Sequence, residues 1–558
     1  MHLPDDVLLE IFTLNARVLK DPPLFRRRHI SGAPAPSNYP TYPTNPLDAW
    51  TAISYIRSSS QVCQLWRRVI LQSSIIWGQL LNINYLRQCN DCWRKEVLRR
   101  TGVSPLHVVA EVFFNSPDKL VAKMNDYLLS ILDHQWHRIR LLHLRVHDLE
   151  TDVSRRASQL LQRPAPWLRS FRLEIVPIPW NTAIDTPCCR IGTLFAHDAP
   201  SLHDYFSWNL HDFHPDALQM SSLRILKVQL SRASPLRIKY SLFELLNSIS
   251  QMKNLEEISL EFYPSPRQMF SIHDSPLPYA HLPNLKSIQL TTDTRTFFDF
   301  VKSISGSTGW NLAMCPHNLT DDDDFTKREI WMILDTTSHY VAGYLMDREP
   351  VTLSVAVTEY GLILEASPGE HLDHAFHLSI PNSHHLEHYI PKFLGAFYTN
   401  RLYSTRNLTV IAGFPNLDVP KNDLSAFIDT CIEVDTLEVD LPTLELFNMA
   451  LASSTGYFPK LMELKIWGFL EAGWTHNFIQ FMLGRHIGYL QQVERVIFTE
   501  NSEEHSVDFT IVQEALQGLD GLEIIWPGDC GRRHSIVCGR SSDTLRVKES
   551  DESEVRSQ

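Results

Sequence analysis

One phrase recurs along this chain and constrains its fold more than any single residue does. A small residue or proline is followed two positions later by a leucine, and then by alternating apolar residues. It reads APWLRSFRLEI at 165–175, APSLHDYFSWNL at 199–210, MSSLRILKVQL at 220–230, MKNLEEISLEF at 252–262, LPNLKSIQLTT at 282–292 and FPKLMELKIWGF at 458–469. Weaker copies stand at 137–146, 432–441, 490–500 and 519–529. Alternation sends successive side chains to opposite faces, so each copy predicts a strand. Between copies lie stripes at helical spacing: Leu242, Leu245, Leu246 and Ile249; Phe297, Phe298, Val301 and Ile304; Leu424, Phe427, Ile428 and Cys431. A strand and a helix that each carry an apolar face must stack on their neighbours to bury it.

This arrangement resembles a leucine-rich repeat array. From Leu202 to Leu223, Leu255 and Leu285 the steps are 21, 32 and 30 residues. They run longer and less evenly than the roughly 20–29 residues usual for that class, and no clear asparagine ladder is present. The expected fold class is therefore α/β: a short N-terminal helical domain, then an irregular leucine-rich-repeat-like α/β solenoid over 136–530. An ordinary α/β domain is the alternative. Residues 83–135 read as a helical linker or cap. The rhythm is interrupted over 305–400, where VTLSVAV (351–357) and YGLILEA (360–366) predict paired strands across a tight turn containing Gly361. From about Gly531 the chain turns polar and ends in KESDESEVRSQ, which predicts a disordered tail over 531–558.

The first 82 residues have a different texture. Pro4 suits the first position of a helix, where its missing N–H would be unpaired anyway. Asp5 and Asp6 follow in the first turn, where the helix dipole favours acids. Val7, Leu8, Ile11 and Phe12 then form an apolar stripe. Residues 20–47, with PAP and PSNYPTYPTNP, cannot hold a regular helix and read as an extended insertion. The run RRRH at 26–29 lies within it and reads as solvated loop charge. Val62, Leu65, Trp66, Val69 and Ile70 restore a helical face, and Ile75, Ile76, Trp77 and Leu80 add a second apolar group. A unit this small has a modest core and needs partners for part of its apolar surface.

Taken in order, Leu3-Pro4, Val7-Leu8, Ile11-Phe12, Val62-Cys63-Gln64-Leu65-Trp66-Arg67 and Ile76-Trp77 resemble the blocks of the F-box family, closely those of mushroom-forming fungi. The departure is the Pro-rich insertion between the first and second blocks. The resemblance implies a substrate-recognition subunit of an SCF-type ubiquitin ligase. Leu3, Pro4, Leu8, Ile11 and Phe12 would contact the adaptor subunit, and Val62, Cys63, Trp66 and Trp77 would contact it or brace the fold. The partners implied are that adaptor, a cullin reached through it, and a target protein held by the repeat region. A repeat scaffold acting outside any ligase is the second reading.

Chemistry-bearing clusters are sparse. His371, His374, His377, His384, His385 and His388 crowd together with Asp373 and Glu387, at spacings a zinc site could use, and would support a metal-dependent hydrolase as a third reading. Pro381 breaks that segment, and no HExxH is present, so structural or solvated histidines are expected. Cys89 and Cys92 form a lone CxxC lacking the further ligands zinc requires, and Cys188-Cys189 adds nothing. Asp321 to Asp324 lack the ligand spacing and glycine of a calcium loop. The Asn-Leu-Thr triplets at Asn318 and Asn407 match a glycosylation acceptor. No GxxxxGK[ST], GxGxxG or GxSxG pattern occurs, so the chain is expected to be no enzyme, with no cofactor, no metal and no catalytic residue.

Charge and composition agree with that reading. Lys+Arg 51 against Asp+Glu 64 gives a formal net charge of −13, which speaks against general nucleic-acid binding. No apolar run approaches about 18 residues, so no membrane span is expected. Acids at the start where a signal peptide needs basic residues, with nine cysteines in 558 residues, predict a cytoplasmic or nuclear protein.

Overall fold

The computed structural model describes residues 4–17, 52–86, 91–113, 118–147, 152–176, 194–209, 221–229, 242–261, 276–292, 294–306, 311–314, 335–336, 338, 340–345, 350–358, 361–367, 376–381, 402–412, 421–451, 458–467, 478–482, 493–499, 516, 519–527, 533–538 and 546–548. The chain divides into two compact units, Met1–Ala280 and His281–Gln558. Both are mixed α/β and rest mainly on parallel strands.

The first unit opens with four helices: α1 (Asp5–Arg17), α2 (Ala52–Ser59), α3 (Gln64–Gln72) and α4 (Ser74–Gln79). Their shared core is Leu8, Phe12, Ile56, Ile70, Ile76 and Leu80, with Leu9, Leu65, Trp66 and Val69 packed against it. The ring of Phe12 meets Trp66 edge-on at 5.2 Å between centroids. Helix starts are capped by side chains. Cys63 Sγ accepts from Trp66 N–H at 3.5 Å, and Ser73 Oγ accepts from Ile76 N–H at 3.3 Å. Each satisfies a donor that the first helical turn would leave orphaned.

The strands follow directly: β1 (Leu81–Asn82), β2 (Leu106–Phe113), β3 (Ile139–His147), β4 (Ser170–Val176), β5 (Asp204–Trp208), β6 (Ile225–Gln229) and β7 (Glu257–Glu261). Each pairs in parallel with the next. Parallel neighbours need long crossovers. Helices α5 (Cys92–Arg100), α6 (Lys119–His134), α7 (Asp152–Leu161) and α8 (Leu242–Ser250) lie in four of these connections. Register brings Val108, Leu142, Phe171, Tyr205, Leu226 and Ile258 side by side, and all six are buried. A second buried column runs through Ala110, Leu144, Leu173, Ser207, Val228 and Leu260.

Two stretches fold otherwise than their sequence pattern predicts. Residues 83–135 are not wholly helical, because β2 occupies Leu106–Phe113 with strict alternation of buried and half-buried positions. Its leucine, valine and alanine are buried against the strand that follows, which outweighs the helical texture around it. The expected tail at 531–558 also begins with structure. Arg533–Val537 pairs antiparallel with Glu523–Pro527, and Arg546–Lys548 pairs with it in turn. Ile536 sits opposite buried Ile524, an apolar contact that a composition average over the tail hides.

The second unit repeats the parallel theme with an antiparallel insertion. Ser287–Thr291 pairs with Asn311–Met314, which pairs in parallel with Phe376–Pro381. That strand runs antiparallel to Gly361–Ser367, which runs antiparallel to Thr352–Thr358. Thr352–Thr358 then lies parallel to Asn407–Ala412, followed in parallel by Thr436–Asp440, Glu463–Trp467, Arg495–Phe498 and Glu523–Pro527. The predicted hairpin forms, but Gly361 pairs with Thr358 and so belongs to the strand rather than the turn. Helices Thr294–Lys302, Lys421–Thr430 and Leu441–Leu451 fill connections, the first two over the predicted stripes. Ile304 of the first stripe lies in the following strand Ile304–Gly306.

The recurring phrase proves to be one local structure. Its leucine donates back three residues, from Leu202 to Ala199 O (3.1 Å), Leu255 to Met252 O (3.0 Å), Leu285 to Leu282 O (3.2 Å) and Leu461 to Phe458 O (3.0 Å). All these end residues are buried. The next strand then starts with two consecutive N–H groups on one carbonyl. Arg224 and Ile225 share His203 O, and Met462 and Glu463 share Asp435 O. The turn therefore sets the register of every strand it precedes.

Leu226→Ala is expected to cost about 3 kcal/mol, whereas Lys227→Ala on the opposite face costs less than about 1. The shift in urea midpoint for the first unit's transition checks both.

Candidate protein-docking faces

Helix α1 is apolar around more of its circumference than its neighbours can cover. Leu8 and Phe12 are each 2% exposed, locked into the four-helix core. One step around the helix, Val7, Ile11 and Leu14 repeat at i, i+4 and i+7 and remain 37%, 40% and 51% exposed. Tyr55 on α2, Val62 before α3 and Ile75 on α4 are also exposed. An exposed apolar stripe along one face of a helix marks an interaction surface more often than a single stray apolar side chain does. Arg68 reaches Asp5 at 3.4 Å across α3 and α1, an exposed pair that orients more than it stabilises.

The sequence-derived contact residues divide accordingly. Leu3 lies outside the described residues. Pro4 is exposed and its carbonyl accepts from Leu8 N–H at 3.1 Å, so it opens the helix as expected. Ile11 and Val62 are exposed. Leu8, Phe12 and Trp77, expected at the adaptor contact or as braces of the fold, are all buried, and Leu8 and Phe12 lie in the four-helix core. Burying them is what lets so short a unit hold together. Trp66 is half-buried against Phe12, and Cys63 serves as the α3 cap while staying exposed. Trp77 donates Nε1–H to Ile70 O at 2.9 Å, meets Trp93 edge-on, and lies under the Arg100 guanidinium at 5.0 Å. A Cβ on the neighbouring Gly78 would come within 2.4 Å of Pro105 O, so α4 and the residues leading into β2 sit in direct contact. Leu14 and Tyr55 belong to none of the stripes read from the sequence, and Val7 and Ile75 belong to stripes that carried no contact role. Six apolar residues among positions 7–14 were the available signal, since one stripe cannot bury them all.

The strands present a second kind of surface, on the side opposite the buried columns. In the first unit, Glu111, Arg145, Glu174 and Trp208 stand abreast. Arg145 Nε lies 3.7 Å from Glu111 and 3.9 Å from Glu174. Arg172 binds Glu174 at 2.7 Å and sits 4.3 Å over the Phe206 ring. His147 binds Glu111 at 2.9 Å and stacks on Phe113 at 4.2 Å. Both carboxylates of this ladder have cationic or imidazole partners.

In the second unit the corresponding row runs His377, Glu365, Ser354, Thr409, Glu438 and Lys465. His377 Nδ1 donates to Glu365 Oε1 at 2.8 Å, and that hydrogen bond holds the Glu365 carboxyl below its usual range. Glu438 accepts from Thr409 Oγ1 at 3.1 Å and from Trp467 Nε1.

No metal site emerges among the described residues, where no group of three or more His, Cys, Asp or Glu side chains is placed to hold an ion. Of the histidine-rich segment only His377 is described, on a strand. His371, His374, His384, His385 and His388 lie outside the described residues, as do Cys89, Cys188, Cys189, Asn318, Asp321 to Asp324, residues 26–29 and the insertion at 20–47. Cys92 starts α5 and is exposed. Asn407 lies in a strand with Nδ2 at 3.5 Å from Thr352 Oγ1. Among the described residues no helix is long and apolar enough to cross a membrane. A scan against protein-family models finds no match to this chain, and a search of curated proteins finds none either.

Two outcomes follow. Phe12→Ala should cost about 3–5 kcal/mol of stability, whereas Ile11→Asp should cost no more than about 1, read from thermal melts. The depressed Glu365 pKa favours the folded state above the unfolded-state value, and that contribution fades as pH falls through the folded value. His377→Phe should therefore move the Glu365 titration upward, followed by carboxyl NMR.

Proposed function

We propose that this chain is a substrate receptor of an SCF-type ubiquitin ligase. The N-terminal helices dock on the adaptor, and the strand-borne faces of an irregular leucine-rich-repeat-like solenoid hold a target protein. The chain performs no bond chemistry itself. It raises the effective concentration of target beside a ubiquitin-loaded enzyme carried by the rest of the ligase. Its place of work on this reading is the cytoplasm or nucleus.

The observation that supports this reading is the split of α1 into two apolar faces. The resemblance of the motif blocks to the F-box family names an adaptor as partner, and α1 keeps Val7, Ile11 and Leu14 open while Leu8 and Phe12 hold the unit together. An amphipathic helix with anchors at i, i+4 and i+7 fits a hydrophobic groove on a partner. On this reading Ile11 stays in the contact set, Val7 and Leu14 join it, and Leu8 and Phe12 brace the fold behind them.

Affinity purification of the full chain should recover the adaptor with a cullin. The double variant Ile11→Asp with Leu14→Asp should weaken capture at least about tenfold while the thermal melt stays near that of the parent. Undiminished capture by that variant would overturn the assigned face. Adaptor without cullin would favour a scaffold outside any ligase.

A further inference from the structure

Glu438 differs from the carboxylates of the first unit's ladder in what holds it. Glu111 and Glu174 each face cationic or imidazole partners. Glu438 is held by two neutral donors, the Thr409 hydroxyl and the Trp467 indole N–H, and has no ion-pair partner among the described residues. Its neighbour in register, Lys465, extends instead to Glu463 at 3.4 Å, and Arg495 binds the same Glu463 at 3.1 Å. Two cations therefore converge on one acid, while the acid beside it has no cationic partner among the described residues.

The surroundings suit a cation brought from outside. Trp467 is 38% exposed, so part of its indole stays open while Nε1 anchors the carboxylate. An aromatic face beside a fixed carboxylate offers both cation–π attraction and a charge-assisted hydrogen bond. The carboxylate is oriented in advance by its two donors, which reduces the ordering cost of binding. Ser354 and Thr409 continue the row on one side with hydroxyl groups, able to bond the polar backbone of an extended segment.

We propose that Glu438 and Trp467 form a recognition site for a lysine or arginine side chain on an extended basic segment of a protein partner. Complementary charge and an exposed aromatic anchor are what select that partner over an acidic or apolar one. The proposal rests on the receptor reading for the identity of the partner as a target, but the binding itself does not depend on the adaptor.

The test uses the full chain and a fluorescein-labelled peptide of alternating serine and arginine, with a serine–glutamine peptide as the neutral counterpart. Fluorescence anisotropy at 150 mM salt should show saturable binding of the arginine peptide and none of the neutral one. Glu438→Gln keeps the shape and the Thr409 contact, and should weaken binding about tenfold. Trp467→Leu should weaken it several-fold. Glu445→Gln, on the helix Leu441–Leu451, removes the same charge elsewhere and should change nothing. No binding by the parent chain, equal binding by Glu438→Gln, or equal loss in Glu445→Gln would each overturn the site. Adaptor capture is measured on the same samples. Its failure alongside intact, Glu438-dependent peptide binding would count against the ligase reading and leave this site standing.

Discussion

The side-by-side burial of apolar side chains along parallel strands is the interaction on which everything else rests. In the first unit Val108, Leu142, Phe171, Tyr205, Leu226 and Ile258 touch in succession, each supplied by a different stretch of chain. A single strand with one apolar face has no means of burying it alone. Each therefore draws stability from its two neighbours, as stacked structural units do. The turn before each strand makes this repeatable. Its buried leucine and its back-directed hydrogen bond deliver the chain to the sheet in the same register each time.

Because one side of the sheet is consumed by that column, the other side is released for polar chemistry. The first unit balances its outward carboxylates with arginines and a histidine, and so makes a rigid, charge-neutral ladder. The second unit orients Glu438 with neutral donors and leaves its charge available. The helical N-terminus follows the same economy on a smaller scale. Leu8 and Phe12 hold four short helices together with Leu9 packed alongside, and Val7, Ile11 and Leu14 of α1 face outward. Trp77 and Gly78 join those helices closely to the residues leading into β2.

Much of this was legible in the sequence. The period-two phrases at 165–175, 199–210, 220–230, 252–262, 282–292 and 458–469 all contain strands, and the hairpin across 351–367 forms. Strand Leu106–Phe113 was hidden between two helices, because its buried residues include alanine and its phrase lacks the leading leucine turn. Strand Arg533–Val537 was hidden because it opens on three polar residues, Arg533, His534 and Ser535, before Ile536 and Val537. The candidate faces were less legible. Position along a helix tells which residues share a stripe, but Leu8 and Ile11 are equally apolar in sequence and end on opposite sides of the burial divide.

The sequence alone determined that this chain makes alternating strands and helices and opens with short apolar helices. Those properties are local, set by spacing and residue type within a few turns of chain. Only the tertiary structure decided which apolar residues are consumed by the core and which side chains hold each outward carboxylate. Both depend on neighbours about thirty residues or more away, as when Trp467 reaches back to Glu438, and a linear pattern carries no record of who those neighbours are.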